Sequence, residues 1–423
     1  MPSSGNVPAY RPSSSAAVRA YRAESSSTVR ARTAPPERVR SLDVFRGLTI
    51  AGMILVTDPG TYSYTYHQLR HAAWNGATAT DMIFPAFLFI VGMAITLSLP
   101  ARLQREGDRA ALIWHILGRS VLLIVVGLIV NGFPDYVWQT MRLPGILQRI
   151  GLCYLVAGTL YALLLPQEDV MSDNSRRRLG VLGGAFVGLL ILYWIVLKTA
   201  NVPGVGAGHL DSFGNFPAYV DRSLFGILHL WPYGLTPGMG VTYDPEGLLS
   251  TLGALATTLL GVLAGEWMGR DIPRGRKGVE LTAGALVLLL LSLGLGHWMP
   301  VNKSLWTPTF VMFAGGVSLG LFVFFWITVD WWNTKGWTLP GLIFGTNAIL
   351  AFVLSSMLTT MSDRVRLDQP QGGTITLHHW INDNWFAPHL SPLHASLAYA
   401  VAVVLLNMLL IYPLYRKKIF LRL

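Results

Sequence analysis

"HAAWNGATATDMIFPAFLFIVGMAITLSL", His71 to Leu99, decides how the rest of the chain is read. From Met82 to Ala101 no residue carries a charge, and the run is long enough to cross about 30 Å of hydrocarbon as a helix. Directly ahead of it stand a histidine, a tryptophan, an asparagine and an aspartate. Asn75 and Asp81 read as helix caps, because short polar side chains accept from the first unpaired N–H groups. Capping leaves His71 and Trp74 unexplained.

Working outward, runs of the same kind recur to the C-terminus. Their approximate bounds are 42–57, 79–99, 112–131, 144–165, 179–199, 247–268, 279–298, 308–330, 339–360 and 392–415, about ten in all. With 52% hydrophobic and 13% charged residues, the 423-residue chain is too apolar for a soluble two-domain protein. The expected fold is an all-α polytopic membrane protein of about ten transmembrane helices, with the lipid bilayer as its surroundings. Residues 1–40, rich in Ser, Arg, Ala and Pro without an apolar period, read as a disordered basic tail, and 41–423 as the membrane domain. The tail shares its Arg- and Ser-rich makeup with organelle transit peptides, against which Glu24 and Glu37 speak.

Lys+Arg exceed Asp+Glu by 32 to 22, but many of these cations lie between apolar runs and set topology, so nucleic acid is not an expected partner. The tail, 101–109, 175–178, 270–278, Asn333–Gly336 and the C-terminal YRKKIFLRL hold the basic residues, and the alternate connections hold few. Both termini are then cytoplasmic, and 58–78, 132–143, 200–246, 299–307 and 361–391 face outward. The outward loops 200–246 and 361–391 are longer than connection requires and rich in aromatic residues, Gly, Pro and His. They read equally as an interfacial aromatic belt or as a wall recognising a polar ring-shaped ligand. Gly184/Gly188, Gly261/Gly265 and Gly316/Gly320 mark close helix packing or a homodimer face. The single cysteine, Cys153, excludes an intramolecular disulfide and a cysteine metal cluster.

Polar residues inside or beside apolar runs are expensive and therefore informative. Arg46 in the first span and Arg119 in the third read either as snorkelling or ion-paired side chains, or as ligands for an anion entering from the cytoplasm. At the outward mouths, "RLPGILQRI" (142–150) carries Gln148 and Arg149, "YDPEGLLS" (243–250) carries Asp244 and Glu246, and "PVNKSLWT" (300–307) carries Asn302 and Lys303. Asp244 and Glu246 also suit a helix N-terminus as caps. Together with His71, Trp74 and Asn75 these clusters converge on one face, which points to a site at the outer boundary. A neutral imidazole at His71 can take a proton or attack an acyl carbon, with Asp81 holding the ring. No metal is expected: no His-x3-His accompanies His71, and adjacent His378 and His379 diverge on a helix.

The blocks "RVRSLDVFRGLTIAGMILV", "RHAAWNGATATDMIFPAFLFIVG", "RLPGILQRIGLCYLVAG", "YDPEGLLSTLGALATTLLGVLAG", "MPVNKSLWTPTFV" and "GTNAILAF" occur in this order from Arg38 onward. They resemble the heparan-alpha-glucosaminide N-acetyltransferase family and its bacterial relatives. The resemblance implies acetyl-CoA as cytosolic acyl donor, an amino sugar or envelope glycan as acceptor on the opposite side, and a catalytic histidine that falls on His71. It also implies a bacterial inner-membrane protein and makes a homodimer reasonable. On this reading Arg46 and Arg119 bind CoA phosphates, and Asn75, Gln148 or Asn302 faces the oxyanion. The chain departs from relatives at "LVTDPG", where Thr57 and Asp58 stand in a stretch that commonly holds asparagine. The rival readings are a transporter or flippase of a sugar or lipid-linked glycan, and a non-catalytic membrane scaffold.

Overall fold

The structure is a computed structural model that describes residues 39–166, 175–369 and 372–420. Of the tail expected over 1–40, residues 1–38 lie outside this set. The remainder is helical: α1 (Arg40–Thr57), α2 (Ala79–Glu106), α3 (Arg109–Gly132), α4 (Ile146–Leu164), α5 (Ser175–Thr199), α6 (Phe216–Phe225), α7 (Thr251–Met268), α8 (Arg274–Leu295), α9 (Pro308–Phe325), α10 (Leu339–Thr346), α11 (Ala348–Arg364), α12 (Leu377–Ile381) and α13 (Pro392–Arg416). Among the described residues eight helices are long and apolar enough to cross a membrane, nine when the bent pair α10–α11 counts as one span. The protein is therefore an all-α multi-pass membrane protein. Helix α1 forms where expected, but Arg40, Asp43 and Arg46 make it less apolar than the eight.

Two of the sequence-based bounds shift for local reasons. The basic stretch 101–109 is mostly helix, not loop: Arg102 and Glu106 pair at 2.7 Å one turn apart, and α2 ends only at Gly107, whose φ of 69° suits glycine. Asp108 at once caps α3 by accepting from the Ala110 and Ala111 N–H groups. The span expected over 339–360 is broken by an 86° bend at Asn347, whose backbone leaves the helical region (φ −132°, ψ 46°).

Helices α2, α4, α7 and α9 form the buried centre, while α3, α5, α8 and α13 turn most of their surface outward. Glycine allows the closest approaches. A Cβ on Gly261 would stand 2.0 Å from the Phe89 carbonyl oxygen, locking α7 to α2, and one on Gly47 would stand 1.8 Å from the Gly341 oxygen, locking α1 to α10. Among the described residues Gly184 and Gly188 meet nothing within 4 Å, so that pair makes no close helix contact there.

The long connections carry structure of their own. Antiparallel hairpins Asn201–Val202/Gly206–Ala207 and Leu235–Thr236/Gly240–Val241 flank α6, and Arg366–Asp368 pairs with Thr374–Thr376 ahead of α12.

Candidate active site

The loop carrying His71 is pinned from two directions. The Gly76 N–H donates to the Val301 carbonyl at 2.7 Å, and Asn302 Nδ2 donates to Asn75 Oδ1 at 3.1 Å. Trp74 donates through Nε1 to the Leu210 carbonyl at 2.8 Å and meets the Tyr243 ring edge-on at 4.9 Å. The connections before α2, α7 and α9 thus meet at one end of the bundle, as the clustering of polar residues led one to expect.

At the start of α2, Asp81 has two tasks. Its Oδ2 accepts from the Thr78 N–H, the Thr78 hydroxyl and the Ala72 N–H, each at 3.0 Å, which closes a capping box and holds the incoming loop. Its Oδ1 lies 2.7 Å from Nδ1 of His71. Asp81 is 1% exposed, while half of the His71 side chain is open. A carboxylate only accepts, so Nδ1 carries the proton, and in the neutral ring the lone pair is then on Nε2. Lys303 Nζ stands 3.1 Å from Nδ1, 3.4 Å from Nε2 and 3.8 Å from Asp81 Oδ1. The ammonium thus stands within hydrogen-bonding distance of both ring nitrogens.

Behind this trio lies a buried charge network. Arg142 grips Asp244 through two nitrogens, Nε at 2.8 Å, and also pairs with Glu246. Burial opposes charge on Arg142, but the two carboxylates outweigh it and hold the guanidinium above its ordinary range. Burial likewise pushes Glu246 up, and Arg142, Arg149 and Lys303 together pull it below the usual glutamate range. Burial draws the Lys303 ammonium down, against the attraction of Glu246 and Asp81. Arg149, 1% exposed, donates to the Gly247 carbonyl at 2.8 Å and to Ser250, and its guanidinium covers the Trp306 ring at 5.1 Å.

Three residues singled out by sequence lie apart from the trio's contacts. Gln148 donates to the Leu143 carbonyl at 3.2 Å and sits against Gly127 and Gly145. Arg46 donates to the Gly345 carbonyl at 2.9 Å and pairs with Asp43. Arg119 covers the Tyr154 ring at 4.9 Å, and its buried Nε meets no acceptor. Asn302 is fully engaged: besides Asn75, it accepts the Leu305 N–H at 2.8 Å and is buried. Its amide shapes the turn before α9. Sequence reading passed over Trp306 and Tyr243, although both stand inside quoted blocks; a single aromatic beside an apolar run carries no distinguishing signal. It also passed over Asp221, which accepts the Leu248 N–H at 2.8 Å and is pushed up to about 7 by burial.

Between α1, α2, α4 and α11 lies a narrow apolar crevice of about 20 Å³, lined among others by Ile50, Met53, Ile83, Phe84, Leu147 and Phe352. Phe84 packs edge-on against Trp306 at 5.3 Å, and so connects the crevice wall to the charge network.

Fold and site together define a multi-pass membrane protein with a carboxylate-held histidine at one end of its helix bundle. Residues 38–203 match the family model described as heparan-alpha-glucosaminide N-acetyltransferase, catalytic. The chain is 30% identical to human heparan-alpha-glucosaminide N-acetyltransferase and 28% identical to the mouse protein, in each case over 92% of its own length. It spans 60% and 61% of the length of these two proteins. The resemblance read from the sequence blocks is borne out: the chain is similar, over 92% of its length, to the heparan-alpha-glucosaminide N-acetyltransferases.

Proposed function

We propose that the protein moves an acetyl group from acetyl-CoA to the amine of an amino sugar or glycan across a bacterial inner membrane. The observation that carries this reading is the contact of His71 with Asp81, which fixes Nδ1 as donor and leaves Nε2 as the base. In direct transfer the amine nitrogen attacks the thioester carbonyl, a C–N bond forms and the C–S bond breaks. Nε2 takes the proton from the amine and returns it to the departing thiolate. In the two-step form Nε2 itself attacks the carbonyl and the C–S bond breaks to release the CoA thiolate; the amine then attacks the acetyl carbon, the bond to Nε2 breaks, and the freed Nε2 takes the amine proton. The Lys303 ammonium beside the ring is placed to face the oxyanion common to both routes.

The distribution of basic connections sets CoA on the side of Arg46 and His71 on the other. In this reading the apolar crevice, walled by aliphatic and aromatic side chains and reaching Phe84, three residues from Asp81 in α2, widens to admit the acyl-bearing arm of the donor. Arg119, with a buried Nε that has no acceptor, suits a CoA phosphate. Arg46 has protein partners already and would have to share them.

The test uses purified full-length protein in nanodiscs with acetyl-labelled acetyl-CoA and glucosamine. Wild type should transfer label to the sugar and His71→Ala should not. Equal transfer by both removes His71 from the mechanism. Accumulation of unmodified glucosamine in proteoliposomes, without acetylation, favours the transporter reading instead.

A further inference from the structure

Met53 and Phe352 wall the apolar crevice on one side and a second, polar cavity of about 190 Å³ on the other. The second cavity lies where α1 ends and α11 runs past it. Asp58, immediately after α1, faces Ser355 and Thr359 of α11, and Thr57, Thr360 and Asp363 complete the polar wall. Asp58 is only 3% exposed.

Its hydrogen bonds are fewer than its neighbours suggest. Thr359 donates to one carboxylate oxygen, and the Ser355 and Thr57 hydroxyls each stand 3.3 Å from the other. Yet Thr359 Oγ1 is also 2.9 Å from the Ser355 carbonyl, and Thr57 Oγ1 is 2.9 Å from the Met53 carbonyl. Each hydroxyl has one proton to give. A buried carboxylate with contested donors, bordering open space, calls for a further donor or a counter-charge. Burial pushes its carboxyl up, and the three hydroxyls, followed by the charge of His378, only partly offset this.

The shape of the cavity argues about what supplies that charge. A bare metal ion needs a tight oxygen cage, roughly six ligands within about 2.6 Å. Here the oxygens are spread along one wall, and Met53, Ile54 and Phe352 make the other apolar. An organic ammonium on a hydroxylated ring meets both walls: charge on carboxylate, hydroxyls on hydroxyls, ring face on Phe352. His378 braces the mouth, with Nδ1 2.9 Å from Asp363 and Nε2 2.9 Å from the Pro59 carbonyl.

We propose that this chamber binds the primary ammonium of an amino sugar, with Asp58 as its counter-ion and the hydroxyls of Ser355 and Thr359 as partners for the ring hydroxyls. This rests on the reading of the acceptor as an amine. It deepens that reading by adding a holding site for the acceptor on α1 and α11, from which the amine reaches His71 once it has lost its proton.

The test is binding of labelled glucosamine to the full chain in nanodiscs, without acetyl-CoA. In wild type, glucose and N-acetylglucosamine, which lack the ammonium, should compete about tenfold or more less well than glucosamine, as for loss of a charged hydrogen bond. Asp58→Asn should weaken glucosamine binding by a similar factor and abolish that preference. Equal competition by N-acetylglucosamine in wild type overturns the proposal without any variant; so does unchanged glucosamine affinity in Asp58→Asn. Asp58-dependent binding without acetyl transfer would leave the chamber standing and sink the acetyltransferase reading. Acetyl transfer to glucosamine with Asp58-independent binding does the reverse.

Discussion

The ammonium of Lys303 lies beside the imidazole of His71, 3.1 Å from Nδ1 and 3.4 Å from Nε2, with Asp81 Oδ1 at 3.8 Å. It reaches this position from the turn ahead of α9, so the base and the cation come from segments more than 200 residues apart, 232 by sequence separation. Lys303→Met keeps the length of the side chain and removes its charge. If the ammonium faces the oxyanion, kcat falls by about 10²–10³-fold while KM for acetyl-CoA holds, since the lost interaction exists only in the transition state. Steady-state kinetics check this; a change confined to KM would make Lys303 a binding residue.

Asp81→Asn separates the two tasks of that carboxylate. The amide oxygen can still accept from Thr78 and Ala72, so the start of α2 persists. Its NH₂ group then faces Nδ1 and demands a lone pair there, which moves the proton to Nε2 and removes the base. A drop in kcat of about 10³–10⁴-fold is expected, with thermal stability little changed. A large loss of stability with proportionate loss of activity would show the helix start to be the main task.

Arg142→Ala leaves Asp244 and Glu246 buried without their cation, at a cost of about 3–5 kcal/mol. Thermal unfolding in detergent reads this as a lower Tm. Adding Glu246→Gln should recover part of it, because one of the stranded charges is then gone. No recovery would mean that Asp244, which also accepts the Trp231 N–H at 2.8 Å, carries the penalty alone.

His378 makes loop 365–391 pH-sensitive. Both ring nitrogens face acceptors, Asp363 and the Pro59 carbonyl, so both must carry protons. Burial opposes this charge, but Asp363, the Pro59 carbonyl and Asp58 outweigh it and hold the ring above its ordinary range; the flanking rings are Tyr399 and His379. A raised histidine contributes stability that is complete below the unfolded value of about 6.5 and disappears as pH climbs through the folded one. Amide exchange over 374–386, corrected for intrinsic rate, should therefore be slower at acid than at alkaline pH. His378→Gln should flatten the difference; the same slope in the variant sinks the assignment.

The apolar runs made the helices legible because length and hydropathy alone decide membrane spanning. Where local chemistry intervened, they misled: the break at Asn347 depends on contacts with distant segments, and the helical 101–106 on an ion pair spaced one turn apart. For the site, the sequence brought out His71, Asp81, Asn75, Lys303, Asp244 and Glu246 because polar residues beside apolar runs are conspicuous. It could not tell that Asn302 is spent on its own turn, nor that Gln148 points toward Gly127 and Gly145. Asp58 was visible as a departure from relatives, but its partners Ser355 and Thr359 lie about 300 residues away and pass on a helix as ordinary small polar residues.

The bend at Asn347 ties two otherwise separate parts of the chain. Its side-chain amide donates to the Ile419 carbonyl at 3.1 Å, just beyond the last helix, while α10 on its other side is clamped to α1 through Gly47, Gly341 and Gly345. The backbone at Ile419 therefore acts as a doorstop for a half-helix, so that strain applied there is felt at the hinge of the bundle.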